Sequence, residues 1–360
     1  MEECKDTISM LDLMIRPAFA VKEGKICQVN AAAKSCLFLE GTEITQLLAT
    51  GKEEYPAFQE GCLYLTLRLG ESTFGASVTK LDGYDIFVLE QDEDRSELQA
   101  MALAAQELRN PLSNVMTVAN RLYPVTGKDS DPALQEQVAR INRGLYQMLR
   151  IIGNMSDAYR YCQESAPQME TRNICSLVDE IFQSCDPLIR QAQITFEHAV
   201  PQEQIFCLVD TEKLERAINN MLSNAIKFAA KGAHISATLT RKGHMLYLTV
   251  QDNGTGIAQN IRGNVYSRYL RQPGIEDGRY GIGLGLVLIR AAASAHGGTV
   301  LMENPKDHGS RITMTIAIHQ RNDSNVRAPL YRIDYAGEKN HPLIELSETL
   351  PLSAYQKDME

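Results

Sequence analysis

Two side-chain amides and one ammonium group recur at helical spacing in the segment N-N-M-L-S-N-A-I-K-F. Asn220, Asn224 and Lys227 stand four and three residues apart, which places them on one face of a helix. Amide oxygens suit Mg²⁺, which keeps several waters and takes few protein ligands, and an ammonium neutralises phosphate oxygens. The spacing therefore predicts a helix face that holds a hydrated Mg²⁺ and phosphate groups.

A second group of residues follows the apolar run M-L-Y-L-T-V-Q-D. Asp252 can accept a hydrogen bond from an exocyclic amine, while Gly254 and Gly256 let the backbone approach a flat base. Further along, Y-G-I-G-L-G-L opens a helical pattern, where glycine amides face an anion at the positive end of the helix. These glycines are Gly281, Gly283 and Gly285. The three pieces together predict a nucleotide site.

In this order the three pieces resemble the ATP-binding domain of the histidine-kinase-like (GHKL) ATPase superfamily, over residues 170–320. The resemblance implies an α/β-sandwich that binds ATP with Mg²⁺. Asn224, with Asn220 as a second candidate, would hold the metal, and Lys227 would reach the phosphates. Asp252 would read the adenine amine. The other residues that the resemblance places against ATP are Phe228, Gly254, Gly256, Ile257, Gly281, Gly283, Leu284, Gly285 and Leu286.

Two apolar heptad patterns precede this domain. Apolar residues recur at alternating steps of three and four from Leu98 to Leu122 and again from Leu134 to Tyr159. Two antiparallel helices cannot fully bury both of their narrow apolar seams against each other. We therefore expect a homodimer, in which two such pairs form a four-helix bundle. Placed just before an ATPase-like domain, the pair resembles the dimerisation and phosphotransfer module of sensor histidine kinases.

The first of these helices lacks the phosphoacceptor of that family. Sensor histidine kinases carry a histidine followed by Glu, Leu, Arg, any residue, Pro and Leu, whereas this chain has Q-E-L-R-N-P-L, beginning at Gln106. An amide nitrogen has no useful basicity, so Gln106 cannot attack a γ-phosphoryl group as an imidazole can. Because all seven histidines lie from His198 onward, we expect no autophosphorylation at the usual site.

The residues beside Gln106 leave several functions open. Glu107 occupies the family's general-base position, and Asn110 lies one turn after Gln106, where an amide can orient water against the aspartyl phosphate of a response regulator. The chain is then a regulator phosphatase, a non-catalytic pseudokinase that binds a response regulator or partner kinase, or an active histidine kinase with an unusual acceptor. The related serine kinases of the superfamily normally lack the two helices and rank lower.

The N-terminal region alternates short strand patterns with turns. A loose motif begins at Val21, a period-2 strand pattern follows from Leu63 to Leu69, and Asp82-Gly83 indicates a hairpin. This order resembles a PAS sensor domain, which either binds an unknown ligand or serves as an empty dimerisation module. We therefore predict a multidomain α+β chain. Its parts are a PAS-like domain at 10–92, the two helices at 96–164, the ATPase domain at 170–320 and a C-terminal tail at 321–360.

Composition excludes several further classes. The chain is 44% hydrophobic and 22% charged, as globular proteins are. Its 36 Lys and Arg against 45 Asp and Glu give a net charge of −9, so we expect no nucleic-acid partner. The chain starts with the polar sequence MEECKDT, and no apolar run approaches the length of about 20 residues that spans a membrane. We therefore predict a cytoplasmic protein without a membrane segment.

Overall fold

A computed structural model describes residue 11 and residues 14–90, 93–122, 132–162, 168–229, 232–256, 284–305, 309–319 and 340–356. The chain has the mixed α+β architecture that the sequence predicts. None of the helices in these ranges combines the length and apolarity needed to cross a membrane.

From residue 14 onward, the N-terminal domain consists of a five-stranded antiparallel sheet with three short helices. Asn30 ends the second strand and caps the first helix, because its Oδ1 accepts hydrogen bonds from the N–H groups of Ala33 (2.9 Å) and Ala18 (3.1 Å). The strands lie in the order β2-β1-β5-β4-β3. The elements are β1 (Ala18–Lys22), β2 (Lys25–Val29), α1 (Ala31–Ser35), α2 (Ile44–Leu47), α3 (Glu54–Ala57), β3 (Cys62–Leu69), β4 (Ser72–Leu81) and β5 (Tyr84–Leu89).

Aromatic rings fill part of the interior of this domain. The ring of Phe19 stacks on those of Phe38 and Phe87, with centroids 5.1 and 4.9 Å apart. Phe38 also meets Phe74 edge-on at 5.4 Å. All but Phe74 are almost fully buried, so stacked rings occupy the middle of the domain.

Two long helices follow, α4 (Glu93–Leu122) and α5 (Pro132–Cys162). They pack against each other along their apolar seams, as the heptad patterns predict.

The remaining elements build a second domain of helices on a sheet. Alternate residues of its strands, such as Leu246, Leu248 and Val250, are buried beneath the helices, as a half-buried strand requires. The elements are β6 (Glu170–Asn173), α6 (Ile174–Gln191), β7 (Thr195–Ala199), β8 (Phe206–Val209), α7 (Thr211–Phe228), β9 (His234–Lys242), β10 (Met245–Asp252), α8 (Gly285–Ala295), β11 (Val300–Glu303) and β12 (Arg311–Ala317). The main sheet runs β11-β12-β10-β9-β7, and β6 pairs with β8 separately.

The two sheets are joined edge to edge. Strand β3 pairs antiparallel with β11, with Tyr64 opposite Val300 and Cys62 opposite Met302. Gly61 begins this contact with φ at +96°, and a Cβ there would stand 2.1 Å from the carbonyl oxygen of Met302. The result is one ten-stranded sheet that links both domains, which no sequence pattern indicates.

Part of the C-terminal region is folded onto the body of the protein. Residues 340–356 contain α9 (His341–Glu345) and a 3₁₀ turn (Leu352–Tyr355). Ile344, Leu346, Leu350 and Tyr355 are buried in the same core as the helices of the second domain. Their apolar pattern in L-I-E-L-S-E-T-L-P-L-S-A-Y is the sequence signal for this docking.

Candidate nucleotide site

Helix α7 carries the first predicted amide, Asn220, into the interior. Its start is fixed by Asp210, whose Oδ1 accepts the N–H of Lys213 at 3.1 Å. Asn220 is 1% exposed, and its Nδ2 donates to the carbonyl oxygen of Arg216 at 2.8 Å. Its Oδ1 is buried and accepts no hydrogen bond from the residues that the structure describes. An amide oxygen in this state is open to a ligand.

The start of α8 lies against that oxygen. A Cβ on residue 285 would stand 2.8 Å from Asn220 Oδ1, which is closer than real Cβ contacts allow. Any side chain at position 285 would therefore force the Asn220 amide to shift, and Gly285 avoids this at the close approach of the two helices. The structure thus brings together the amide helix and the last glycine of Y-G-I-G-L-G-L.

Strand alternation places Asp252 at the buried end of β10, where it is 2% exposed. Its Oδ1 accepts the N–H of Gly254 at 2.8 Å, and its Oδ2 accepts the hydroxyl of Ser310. Oδ1 also accepts the backbone N–H of Ser310 at 3.3 Å. A carboxylate has about four acceptor sites, so these three bonds leave capacity on Oδ2 for an amine. Sequence reasoning missed Ser310, because a serine before a strand carries no signal of its own.

The loop after β10 packs against the end of α7. A Cβ on Gly254 would stand 2.1 Å from the carbonyl oxygen of Phe228, and Gly256 has φ at +71°. Both positions therefore require glycine, one for space and one for conformation. This contact brings Phe228 to the loop that begins at Asp252.

Comparison with known proteins agrees with this geometry. Residues 209–320 match the family model for histidine kinase-, DNA gyrase B- and HSP90-like ATPases. This segment is a histidine-kinase-like ATPase domain. The match spans α7, β10, α8 and β12. It therefore includes Asn220, Asp252 and Gly285 on these elements and Ser310 directly before β12.

Curated relatives extend the likeness beyond the ATPase domain. Hybrid signal transduction histidine kinase D of Dictyostelium discoideum is 27% identical over 270 residues, which are 72% of this chain and 17% of the relative. Sensor histidine kinase WalK of Bacillus subtilis is 24% identical over 274 residues, 72% of this chain and 43% of the relative. The chain thus spans less than half the length of these proteins. Together with the ATPase domain, these similarities support a relationship between this chain and the histidine kinases.

Among solved structures, full-length ShkA in complex with AMPPNP is similar at 19% identity and a TM-score of 0.49. The similarity covers 62% of this chain and 46% of ShkA.

Lys227 of the ATPase domain has a partner from the C-terminal segment. Its Nζ pairs with Oε2 of Glu348, and its side chain is only 11% exposed. Burial lowers the pKa of Lys227 below its ordinary value, although the Glu348 carboxylate acts in the opposite direction. Asn224, one turn before Lys227, is half-buried. Sequence reasoning placed Lys227 against phosphates and did not anticipate this carboxylate.

Of the other residues predicted to contact ATP, some lie within the described part of the ATPase domain and some lie outside it. Leu284 is 2% exposed and packs with Leu98 of α4 and Ala158 of α5, while Leu286 packs against the main core. The side chains of both leucines therefore contribute to packing. Ile257, Gly281 and Gly283 lie outside the described residues.

The residues of the phosphoacceptor motif lie on α4. Gln106, Glu107 and Asn110 are all exposed along this helix. Their side chains are therefore accessible to a second protein.

Proposed function

We propose that the chain is an ATP-binding sensor histidine kinase homologue of two-component signalling that does not autophosphorylate at the usual site. The observation that carries ATP binding is the buried Oδ1 of Asn220, which faces the start of α8 without a hydrogen bond from the described residues. A helix N-terminus favours anions, so this oxygen lies where a metal-bound phosphate would be stabilised.

The residues present are suited to Mg²⁺. Asn224 and Asn220 offer amide oxygens, which are hard ligands of the kind that Mg²⁺ takes alongside water. Bound there, Mg²⁺ would neutralise phosphate charge. Asn224 is half-buried and Asn220 is buried against α8. The two candidate ligands would therefore hold the metal at the edge of the ATPase core, between solvent and the start of α8.

Asp252 supports adenine as the base. Its carboxylate is held from two sides by Gly254 and Ser310, so its free acceptor sites have a fixed direction. A fixed acceptor selects an exocyclic amine, which adenine offers.

The exposed half of the heptad seams supports a homodimer. On each helix, exposed apolar residues recur every seven positions. They are Leu108 and Val115 on α4 and Leu134, Ile141 and Met148 on α5. The other half of each seam is buried and consists of Ala105, Leu112, Val138, Leu145 and Ile152. Apolar residues exposed at heptad spacing favour a second helical pair as partner, which gives a four-helix bundle.

The absence of autophosphorylation rests on Gln106. It occupies the acceptor position of Q-E-L-R-N-P-L, is exposed on α4, and cannot serve as a nucleophile. The ATP site then acts as a conformational switch for binding a response regulator or partner kinase.

ATP binding is tested by calorimetry with Mg²⁺ on the wild type and on the Asn224→Ala and Asp252→Ala variants. We expect both variants to bind at least tenfold more weakly, a loss of about 1.4 kcal/mol. Asn114→Ala, on the exposed face of α4, is the matched control and should bind as the wild type. Undiminished affinity in both site variants would refute the assignment.

Autophosphorylation is tested separately with γ-labelled ATP. We expect no acid-labile label on residues 93–162. Acid-labile label on this segment would instead establish an active kinase with an unusual acceptor, and the stability of the label in base would distinguish a phosphoramidate from an acyl phosphate.

The exposed amides of Gln106 and Asn110 favour a second candidate, a response-regulator phosphatase. The two amides share one helix face and are accessible to a regulator. Wild type and Asn110→Ala would be compared for dephosphorylation of a phosphorylated regulator. Faster dephosphorylation with the wild type, but not with Asn110→Ala, supports the phosphatase. If the wild type does not accelerate dephosphorylation, the phosphatase is excluded and the binding function is favoured.

A further inference from the structure

Two arginines are buried where α5 meets the ATPase domain. Arg150 of α5 is 5% exposed and Arg216 of α7 is 1% exposed. Removing a charge from water costs several kcal/mol unless a partner compensates it. Asp157 supplies one partner, with its Oδ2 3.0 Å from Arg216 Nε. The other carboxylates come from the C-terminal segment.

Glu345 of α9 connects the two arginines. It is completely buried, with Oε1 3.1 Å from Arg216 Nη1 and Oε2 3.7 Å from Arg150 Nε. One carboxylate from the C-terminal segment thus bridges the helical pair and the ATPase domain. Neither oxygen accepts a hydrogen bond of good geometry from the described residues, so the pairs only partly offset the cost of desolvation.

Glu348 extends this contact to the nucleotide site. Its Oε2 lies 3.0 Å from Arg150 Nη1 and also pairs with Nζ of Lys227. Lys227 follows Asn224 on the amide face of α7, where the proposed phosphates bind. An ammonium that is paired with a buried carboxylate has less charge to offer a phosphate.

Further contacts hold the same segment on α5. Asn142 Nδ2 donates to the carbonyl oxygen of Tyr355 at 3.2 Å, and the rings of Tyr146 and Tyr355 are 5.4 Å apart. Gln147 Nε2 donates to the carbonyl oxygen of Ser347 at 3.2 Å. The segment is therefore anchored on α5 while its two glutamates reach the ATPase domain.

We propose that residues 340–356 form a clasp that lowers nucleotide affinity, because Glu348 holds Lys227 in competition with the nucleotide phosphates. Nucleotide binding displaces Glu348 and loosens the attachment of the clasp between α5 and the ATPase domain. A polyphosphate carries more negative charge than one carboxylate, and the incompletely compensated ion pairs leave the clasp displaceable. The clasp rests on the proposed function, since its ligand is the nucleotide of that site.

The direct test is the affinity of Glu348→Gln for Mg²⁺-ATP, measured by calorimetry. The substitution keeps the size of the side chain and removes its charge, so we expect at least about fivefold tighter binding. Glu180→Gln, an exposed substitution on α6, is the matched control and should leave affinity unchanged. Thermal unfolding of each variant verifies that it is folded.

A double-mutant cycle assigns the effect to Lys227. In a Lys227→Met background Glu348→Gln should have no further effect on affinity, because the competing pair no longer exists. The same gain in that background would contradict the competition and would assign the effect to general loosening.

Hydrogen exchange of the wild type provides a readout without mutation. Mg²⁺-ATP should increase amide exchange in residues 340–356, and unchanged or slower exchange there would overturn the clasp. If the wild type binds nucleotide and Glu348→Gln binds equally well, the clasp alone fails. If neither binds, the ATP assignment fails and the clasp with it, whereas binding by Glu348→Gln alone supports both.

Discussion

The side-chain oxygen of Asn220 lies 2.8 Å from the point where a Cβ on residue 285 would stand, so α7 and α8 meet with room for a hydrogen only. This relationship makes Gly285 part of the proposed site in two ways. It lets the start of α8 reach the amide helix, and it leaves Asn220 Oδ1 without a hydrogen bond from the described residues, so that the acceptor capacity of this oxygen is unused.

Gly285→Ala should therefore weaken ATP binding and destabilise the ATPase domain. The added methyl must displace the Asn220 amide, at a cost of about 1–3 kcal/mol in a packed site. Calorimetry and urea unfolding measure the two effects. Gly144→Ala on α5 is the control, since a Cβ there meets nothing within 4 Å and should stabilise the helix by up to about 1 kcal/mol. Wild-type ATP affinity in Gly285→Ala would contradict the close approach.

Ser310→Ala should reduce ATP affinity about tenfold. The hydroxyl donates to Asp252 Oδ2, and a hydrogen bond to a charged group contributes about 1.5–3 kcal/mol. Without it Asp252 is held only at Oδ1, by the N–H groups of Gly254 and Ser310, so Oδ2 is fixed less well and the preference for ATP over GTP should also fall. Competition binding with both nucleotides measures this. Ser310→Thr keeps a hydroxyl and should retain affinity, and Ser77→Ala in the N-terminal domain should change nothing. An unchanged preference in Ser310→Ala would show that Ser310 does not orient Asp252.

Stability should fall below neutral pH because of His296. This side chain is 2% exposed, its Nε2 accepts the N–H of Asp210 at 3.0 Å, and its Nδ1 donates to the carbonyl oxygen of Ala292 at 2.7 Å. Burial lowers its pKa below the ordinary 6.5. The unfolded chain then binds a proton that the folded chain excludes, so the free energy of unfolding decreases as pH falls through 6.5 toward the folded pKa.

Urea unfolding between pH 5 and 8 checks this dependence. One proton contributes at most about 1.4 kcal/mol per pH unit. His296→Asn should be less stable at pH 8 and should have a flatter profile below pH 7. His244, in the turn between β9 and β10, gives the control His244→Asn, whose profile should match that of the wild type. An equally steep profile in His296→Asn would assign the dependence to other groups.

Local sequence patterns are sufficient to predict the helix and the strand that carry the proposed site. The alternation in M-L-Y-L-T-V-Q-D predicts β10 and places Asp252 at its end, and helical spacing predicts the amide face of α7. The joining of β3 to β11 depends on strands more than 200 residues apart, so no local pattern encodes it. Ser310 and Glu348 likewise acquire their positions only through tertiary packing, which explains why sequence reasoning missed them.

Gln106→His should introduce acid-labile phosphate on α4. The residues of the motif that follow position 106 are all present, and an imidazole supplies the nucleophile that the amide lacks. Labelling with γ-labelled ATP measures the effect. Gln106→Asn and the double variant Gln106→His with Asn224→Ala should remain unlabelled. If Gln106→His binds ATP and remains unlabelled, the loss of transfer has a second cause besides the missing histidine.

An ion pair between the one-third exposed Glu90 and the nearly buried Arg290 links the N-terminal domain to α8. Glu90, which follows β5, has its Oε1 2.7 Å from Nη1 of Arg290 on α8, and its Oε2 accepts the hydroxyl of Tyr64 at 3.2 Å. The guanidinium of Arg290 lies 5.0 Å from the centre of the Tyr64 ring. Arg290 is nearly buried and belongs to the helix that begins at Gly285. A displacement of Glu90 by the N-terminal domain would therefore act on the helix that faces Asn220.

A double-mutant cycle with Glu90→Gln and Arg290→Met tests this coupling in urea unfolding and in ATP affinity. We expect an interaction energy of about 0.5–3 kcal/mol in stability, because Glu90→Gln removes a carboxylate that pairs with the nearly buried guanidinium of Arg290. The exposed pair of Glu136 and Arg140 on α5 is the control, and its coupling should stay below about 0.5 kcal/mol. The single variants should also change ATP affinity, since α8 loses a contact that fixes its position. A coupling no larger than that of the surface pair would show that the N-terminal domain contacts α8 without acting on it.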